Sequence, residues 1–440
     1  MNGNGGRFGN IFSAATTIER HELKAALLSF AFVFILMAAY FILRPVRNAM
    51  ASEWTDAELS QLWTGTFVFS LIAVSVYGGI IPRIRFAWLV PGVYIFFALS
   101  FLAFWFGATN VDRPALVDKS FYVWVSVFSL FHVSVFWSFM SDIYSRDQAP
   151  RLFAFIAAGS SIGAIVGPAI TALFADTLGS ENLMLLAAAL LLIPIPIIGI
   201  LNRLKVTELG NAEVQADLSK QVQMGRNPFA GFSLFFTNSM LFGIGLFIFL
   251  YVSMGTFVYF GLKNLMDTYD ESTREQIWAL IDLTVNSLAI LTALFVTSRL
   301  TTRFGMSKTL ALVPAFLVAG FLIIAVAPIL AVVVGLEIAR RAGNYAITRP
   351  GREMLFTIVN REMRFKAKPV IDIVVYRGGD MIWAWLFTFL TTVVGLGMTG
   401  VALVGAGIAL VWAYIGSRLG RTYDQSRARH EERERILQDA

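Results

Sequence analysis

Asp372, Arg377 and Asp380 stand inside PVIDIVVYRGGDMIWAWLFTFLTTVV, residues 369–394, a run apolar and long enough to cross a bilayer. Ionisable side chains at membrane depth are costly, at about 2.5–3.5 kcal/mol each, so three cost roughly 8–10 kcal/mol before any pairing. Arg377 and Asp380 are three residues apart and share a helix face, across the Gly378-Gly379 step. Asp372 lies about 80° around the helix from Asp380 at 100° per residue. The pattern predicts a pair between Arg377 and Asp380 that serves a gate or an anion site. Asp372 is expected to partner the basic segment before it.

Other ionisable groups sit in similar settings. Arg44 and Arg47 close the first apolar run around Pro45, which is expected to break the helix there. Guanidinium groups bind phosphate or carboxylate bidentately, so this pair suits an anion. His132 is embedded in an apolar run, where an imidazole can relay protons. Asp142 is expected to pair with Arg146 at i,i+4. Asp282 has no cation near it in sequence, so its partner must come from another helix, a proton or a solute. Glu337 precedes Arg340 and Arg341 by three and four residues, a spacing that favours pairing along one helix. Gly159, Gly163 and Gly167 repeat every four residues before Pro168, which predicts close helix packing.

The elements that position these groups are membrane spans. The chain has 440 residues, 57% of them hydrophobic and 15% charged, with mean hydropathy +0.68. Soluble domains carry about 25% charged residues. Spans of about 20 apolar residues are predicted at 25–44, 62–81, 87–106, 121–140, 152–175, 183–201, 233–260, 276–297, 309–327, 329–348, 369–394 and 400–417. The division between the ninth and tenth rests on Pro328. The first run is too long for the apolar core of a signal peptide. With both termini in the cytoplasm, the inside segments hold 28 of the 35 Lys and Arg and the outside segments six. That asymmetry fits the positive-inside rule. The +6 net charge is thereby assigned to topology, and no nucleic-acid partner is expected.

Cysteine is absent, and His21, His132 and His430 are far apart. No thiolate nucleophile, metal site, cofactor or enzyme is expected. No G-x-x-x-x-G-K-[ST] sequence occurs, so ATP hydrolysis is not the expected energy source.

The longest internal loop, 202–232, divides the spans six and six and could hold an interfacial helix at 211–223. The organisation is therefore an N-terminal half, 1–201, a cytoplasmic linker, 202–232, a C-terminal half, 233–418, and a charged tail, 419–440. This all-α, twelve-span, 6+6 plan resembles the major facilitator transporters, whose halves are related repeats. Spans three, six, nine and twelve, which face lipid in that superfamily, carry no Asp, Glu, Lys, Arg or His. Ser298 to Lys308 resembles the superfamily's basic loop, with Thr302 where an Asp is expected. Gly163 to Pro168 resembles part of an antiporter motif of its fifth span.

Leu43-Arg44-Pro45-Val46-Arg47-Asn48, Asp142-Ile143-Tyr144-Ser145 and Tyr376-Arg377-Gly378-Gly379-Asp380 together resemble the ATP/ADP translocase (nucleotide exchange) family, twelve-span carriers of plastids and intracellular bacteria. Pro45 and Asn48 stand where those carriers have acids, and Arg47 where they have a lysine. The resemblance implies a monomeric carrier in a bacterial inner membrane, exchanging a phosphate-bearing or other organic anion, with a nucleotide as one candidate. It places substrate roles on Arg44, Arg47 and Arg377, and coupling or gating roles on Asp282 and Asp380. His132, Asp142 and Glu337 join the coupling and gating candidates from their positions alone. Two alternatives stand beside this: a proton-coupled exporter of hydrophobic compounds or lipids, and a membrane sensor or scaffold without turnover.

Overall fold

The computed structural model describes residues 18–80, 86–110, 115–145, 148–211, 230–295, 297–359, 367 and 370–438. Among them, twelve long helices follow one another: α1 Leu23–Ala51, α2 Asp56–Ile80, α3 Phe86–Asn110, α4 Ala115–Ile143, α5 149–178, α6 180–207, α7 Ser239–Met266, α8 Glu271–Phe295, α9 306–326, α10 330–355, α11 370–393 and α12 Met398–Gln438. Among the described residues, eight helical segments are long and apolar enough to cross a membrane, and one of these, Phe155–Thr207, runs through both α5 and α6. Helices are what a bilayer demands, since they satisfy every backbone polar group within one segment.

Local chemistry sets the element ends. Gly179 and Gly305 divide otherwise continuous helices at φ +73° and +72°, ψ 164° and 166°, a conformation closed to residues with a Cβ. The step between α9 and α10 falls at 327–329, around Pro328. Thr55 and Glu58 form a reciprocal cap at the start of α2, with Thr55 N–H donating to Glu58 Oε2 at 2.9 Å and Glu58 N–H to Thr55 Oγ1 at 3.2 Å. Asn238 caps α7 by accepting from Met240 and Leu241 N–H, both at 3.0 Å. The expected interfacial helix at 211–223 lies, apart from Asn211, outside the described residues.

Pro45 does not end the first helix: α1 runs through it to Ala51. A proline inside a helix loses one hydrogen bond and crowds the preceding turn. Here α5 packs against that turn. Gly159, Gly163 and Gly167 face the α1 backbone, and a Cβ on Gly159 or Gly167 would fall 2.6 Å from the carbonyl oxygen of Phe30 or Ala38. Thr171 of α5 donates to the Ile42 carbonyl at 3.4 Å, one residue from the carbonyl that Pro45 leaves without its usual partner. Neighbouring helices commonly offset such a loss in membranes.

The chain divides into two compact units, and the division cuts through α2 and α8. The first contains residues 1–50, 68–222 and 271–283. Its core is aromatic: Phe32 packs edge-on against Tyr94 and Phe136, at 5.4 and 5.0 Å between centroids, and Phe128 lies 4.8 Å from Phe97. The second contains residues 51–67, 223–270 and 284–440. Within it α9 packs along α12, and α7 packs on α10, α11 and α12. The Phe249 and Trp383 rings lie tilted at 4.9 Å, and Phe260 lies 5.0 Å from Phe387. The opening turns of α2 thus pack with α7 and α11, while the opening turns of α8 pack with α1 and α6.

Candidate functional site

The first unit brings Arg44 and Asp282 together. Arg44 lies two turns before the end of α1, and Asp282 lies in the fourth turn of α8. Arg44 Nη1 approaches Asp282 Oδ1 to 3.5 Å, with the Asp282 side chain 0% exposed and the Arg44 side chain 19% exposed. Arg44 also lies over the Phe41 ring at 5.6 Å. The partner that Asp282 lacks in local sequence is therefore a cation from another helix. The arrangement presents a partly exposed arginine side chain backed by a sealed carboxylate, a geometry that suits an anion competing for the guanidinium.

Arg47 is engaged differently. Its guanidinium donates to Asn48 Oδ1 at 2.8 and 3.2 Å and to Ser126 Oγ of α4 at 3.0 Å, and it lies over the Tyr122 ring at 5.1 Å. These contacts tie α1 to α4.

His132 is buried in α4. Its ring stacks on Tyr40 of α1 at 4.5 Å, and Nδ1 lies 3.2 Å from the Phe128 carbonyl. With Nδ1 donating there, Nε2 is the acceptor, and it is buried with no hydrogen-bond partner among the described residues. Asp142, at the end of α4, pairs with Lys205 of α6 at 2.9 Å. Arg146, its expected partner, lies outside the described residues. Lys205 is 63 residues away, beyond the reach of any i,i+4 pattern.

The second unit holds the remaining candidates. Glu337 and Arg340 form a close, multiply bonded pair in α10, with Arg340 Nε and Nη2 within 2.9–3.0 Å of the Glu337 oxygens. Arg341 Nε lies 4.0 Å from the same carboxylate, and all three side chains are buried. Arg340 also reaches the Tyr251 hydroxyl of α7 at 3.4 Å. In α11, Arg377 Nη1 and Asp380 Oδ2 meet at 3.5 Å, with both side chains 20% exposed. The intervening Gly379 lets α7 approach, since a Cβ there would lie 3.2 Å from the Phe249 ring. Asp372 lies 3.9 Å from Arg352, a residue of the basic segment before α11.

One further ion pair joins two residues that were not among the sequence candidates. Lys263, in the last turn of α7, pairs with Asp56, the first residue of α2, at 3.1 Å, with side chains 3% and 10% exposed. In sequence Lys263 reads as one charge in a topology tally. The Thr55-x-x-Glu58 cap was the available signal that Asp56 opens a helix.

The pairs differ in kind. Glu337–Arg340 is short and multiply bonded, the geometry of a fixed structural element. Arg44–Asp282 and Arg377–Asp380 each meet at 3.5 Å, too long for a strong charge-assisted hydrogen bond.

No curated protein matches the chain. Among solved structures it is similar to a bacterial homolog of the human lysosomal transporter Spinster, captured inward-facing and unoccupied. Identity is 12%, the match covers 93% of this chain and 99% of that one, and the TM-score is 0.60. It is also similar to the nucleoside transporter NupG at 16% identity, covering 91% of this chain and 99% of that one with TM-score 0.61. The family model described as Major Facilitator Superfamily matches residues 27–346, nearly three quarters of the chain. With twelve helices in sequence and the fold shared over almost the whole length, the chain belongs to the Major Facilitator Superfamily and is a membrane transporter.

Proposed function

We propose that this protein is a secondary carrier of an organic anion that works by alternating access, and that Arg44 is the primary anion-binding residue. One observation carries the reading: within membrane helices, Arg44 meets the sealed carboxylate of Asp282 at 3.5 Å while remaining partly open. A buried carboxylate is expensive without a cation. Asp282 therefore holds Arg44 in place while the site is empty, and an entering anion competes for the same guanidinium. The competition frees α8 from α1 and converts binding energy into helix movement. Arg377 and Asp380 form a second pair at 3.5 Å, within α11 and with both side chains partly exposed. Arg47 positions α1 against α4.

In this reading residues 1–201 and 233–418 are the rocking halves, and Asp142–Lys205 closes the cytoplasmic end of the first. The resemblance of the Arg44 and Arg377 segments to nucleotide exchangers favours a phosphate-bearing solute. The chain would sit in a bacterial inner membrane with both termini inside. Proton coupling is favoured by one feature, the buried Nε2 of His132.

Uptake of labelled nucleotides, sugar phosphates and dicarboxylates into proteoliposomes tests the proposal. Arg44→Gln should lose at least one activity that the wild type shows, while eluting as a folded, monodisperse protein. Transport of an anion at wild-type rate by Arg44→Gln would sink it.

A further inference from the structure

The exchange of α2 and α8 between the units has a repeated chemistry. The α2 segment 51–67 packs with α7, and Asp56 pairs with Lys263 of α7 at 3.1 Å. The α8 segment 271–283 packs with α1, and Asp282 pairs with Arg44 of α1 at 3.5 Å. Each exchanged segment thus carries one carboxylate, held by one cation on the helix that receives it. The depths differ. Asp56 is the first residue of α2, whereas Asp282 is eleven residues into α8, about 16 Å at 1.5 Å per residue.

We propose that Asp56 and Lys263 form a latch that closes the carrier on the side the basic-residue asymmetry assigns to the exterior. Its release lets the first turns of α2 swing away from α7 and α11. The proposal rests on the alternating-access reading. Several polar contacts hold the Asp56 turn. Lys263 Nζ donates to the Trp54 carbonyl as well as pairing with Asp56. Asp56 Oδ2 accepts from Thr391 Oγ1 of α11 at 3.0 Å and from Asn264 Nδ2 at 3.4 Å. Thr388 Oγ1 donates to the Asp56 carbonyl at 3.0 Å and lies 2.8 Å from Ser60 Oγ.

Such a closure suits a reversible step. A buried ion pair gives back in desolvation most of what attraction supplies. It therefore fixes where α2 sits without making the closed state a deep trap. The helix termini favour the pairing as well, because an acid at the start of α2 and a cation at the end of α7 both complement their dipoles. Below this polar layer Leu59 is fully buried, and Trp63 packs on Phe260 at 5.3 Å. Opening the latch would bring water to Leu59.

The chain contains no cysteine, so a single Leu59→Cys substitution gives one labelling site. The experiment measures its reaction with a membrane-impermeant maleimide added outside full-length protein in oriented proteoliposomes. Labelling should be slow in Leu59→Cys alone. It should rise by roughly tenfold or more when Asp56→Asn or Lys263→Met is added, because one charge of a buried pair is then left uncompensated. The exchanged pair Asp56→Lys with Lys263→Asp should return it toward the slow rate. Equal rates in all folded variants would overturn the proposal, as would an exchange that labels as fast as the single changes. Loss of folded protein in both neutralised variants, with recovery in the exchange, would make the pair a structural staple and also overturn it. The readout needs no solute, so failure to find a transported anion would count against Arg44 as a binding residue and leave the latch result standing.

Discussion

Arg44 of α1 and Asp282 of α8, 238 positions apart in the chain, meet at 3.5 Å with the carboxylate fully buried. Nothing in local sequence joins them. Removing either partner should have separable effects on folding and on transport. Asp282→Asn keeps the shape and removes the charge that restrains Arg44. It is expected to weaken coupling between binding and movement, so that solute still raises the melting temperature while uptake falls. Arg44→Ala leaves a buried carboxylate without this cation and should cost about 3–5 kcal/mol of stability. The double change Arg44→Gln with Asp282→Asn should recover most of that stability and none of the uptake. Thermal melts and uptake assays on the same preparations separate the two effects.

Glu337 should behave as a structural residue. Its carboxylate is buried and bonded within 2.9–3.0 Å by Arg340. Glu337→Gln strips the charge from that pair and leaves two buried guanidinium groups beside it. It should lower stability by about 3–5 kcal/mol. The loss should appear as reduced folded yield, with residual folded protein keeping its affinity for solute. A normal yield with abolished transport would move Glu337 into the coupling machinery.

Gly163 should tolerate no side chain. An added Cβ would collide with the Phe34 carbonyl and would lie 3.0 Å from Met37 Cβ. Both partners belong to α1, whose backbone cannot step aside without disturbing Arg44. Gly163→Ala is expected to cost about 1–3 kcal/mol, the usual range for overpacking. Gly92→Ala, where nothing lies within 4 Å, is the control and should be close to neutral. Melting temperatures of the two variants give the comparison.

Asp424 should stabilise the start of α9. It projects from the extension of α12, and its carboxylate accepts from the N–H groups of Met306 and Ser307 at 3.1 and 3.3 Å. This is the chemistry of a helix cap, supplied from more than a hundred residues away. Asp424→Ala should cost about 1 kcal/mol, read as a lower melting temperature with unchanged solute affinity.

The number and order of the helices were legible because a bilayer leaves few choices: apolar runs of sufficient length become helices. The step at Pro328 and the glycine face of α5 were legible for the same reason, since both are local patterns. The continuation of α1 through Pro45 was not, because it depends on α5 packing against the broken turn. The partners of Asp142 and Asp282 were out of reach, since Lys205 and Arg44 lie far along the chain. Lys263 was hidden because a lone cation near a span end has the same sequence signature whether it is solvated or locked on Asp56.

The most direct test of the central claim is a thermal-shift titration of purified wild-type and Arg44→Gln protein with nucleotides, sugar phosphates, dicarboxylates and uncharged nucleosides. A ligand at a hundredfold excess over its dissociation constant adds about 2.7 kcal/mol to apparent stability. At least one anion should raise the wild-type melting temperature and leave that of Arg44→Gln unchanged. Stabilisation of both proteins by the same anion to the same degree, or by uncharged nucleosides alone, would contradict the assignment of Arg44 as the anion-binding residue.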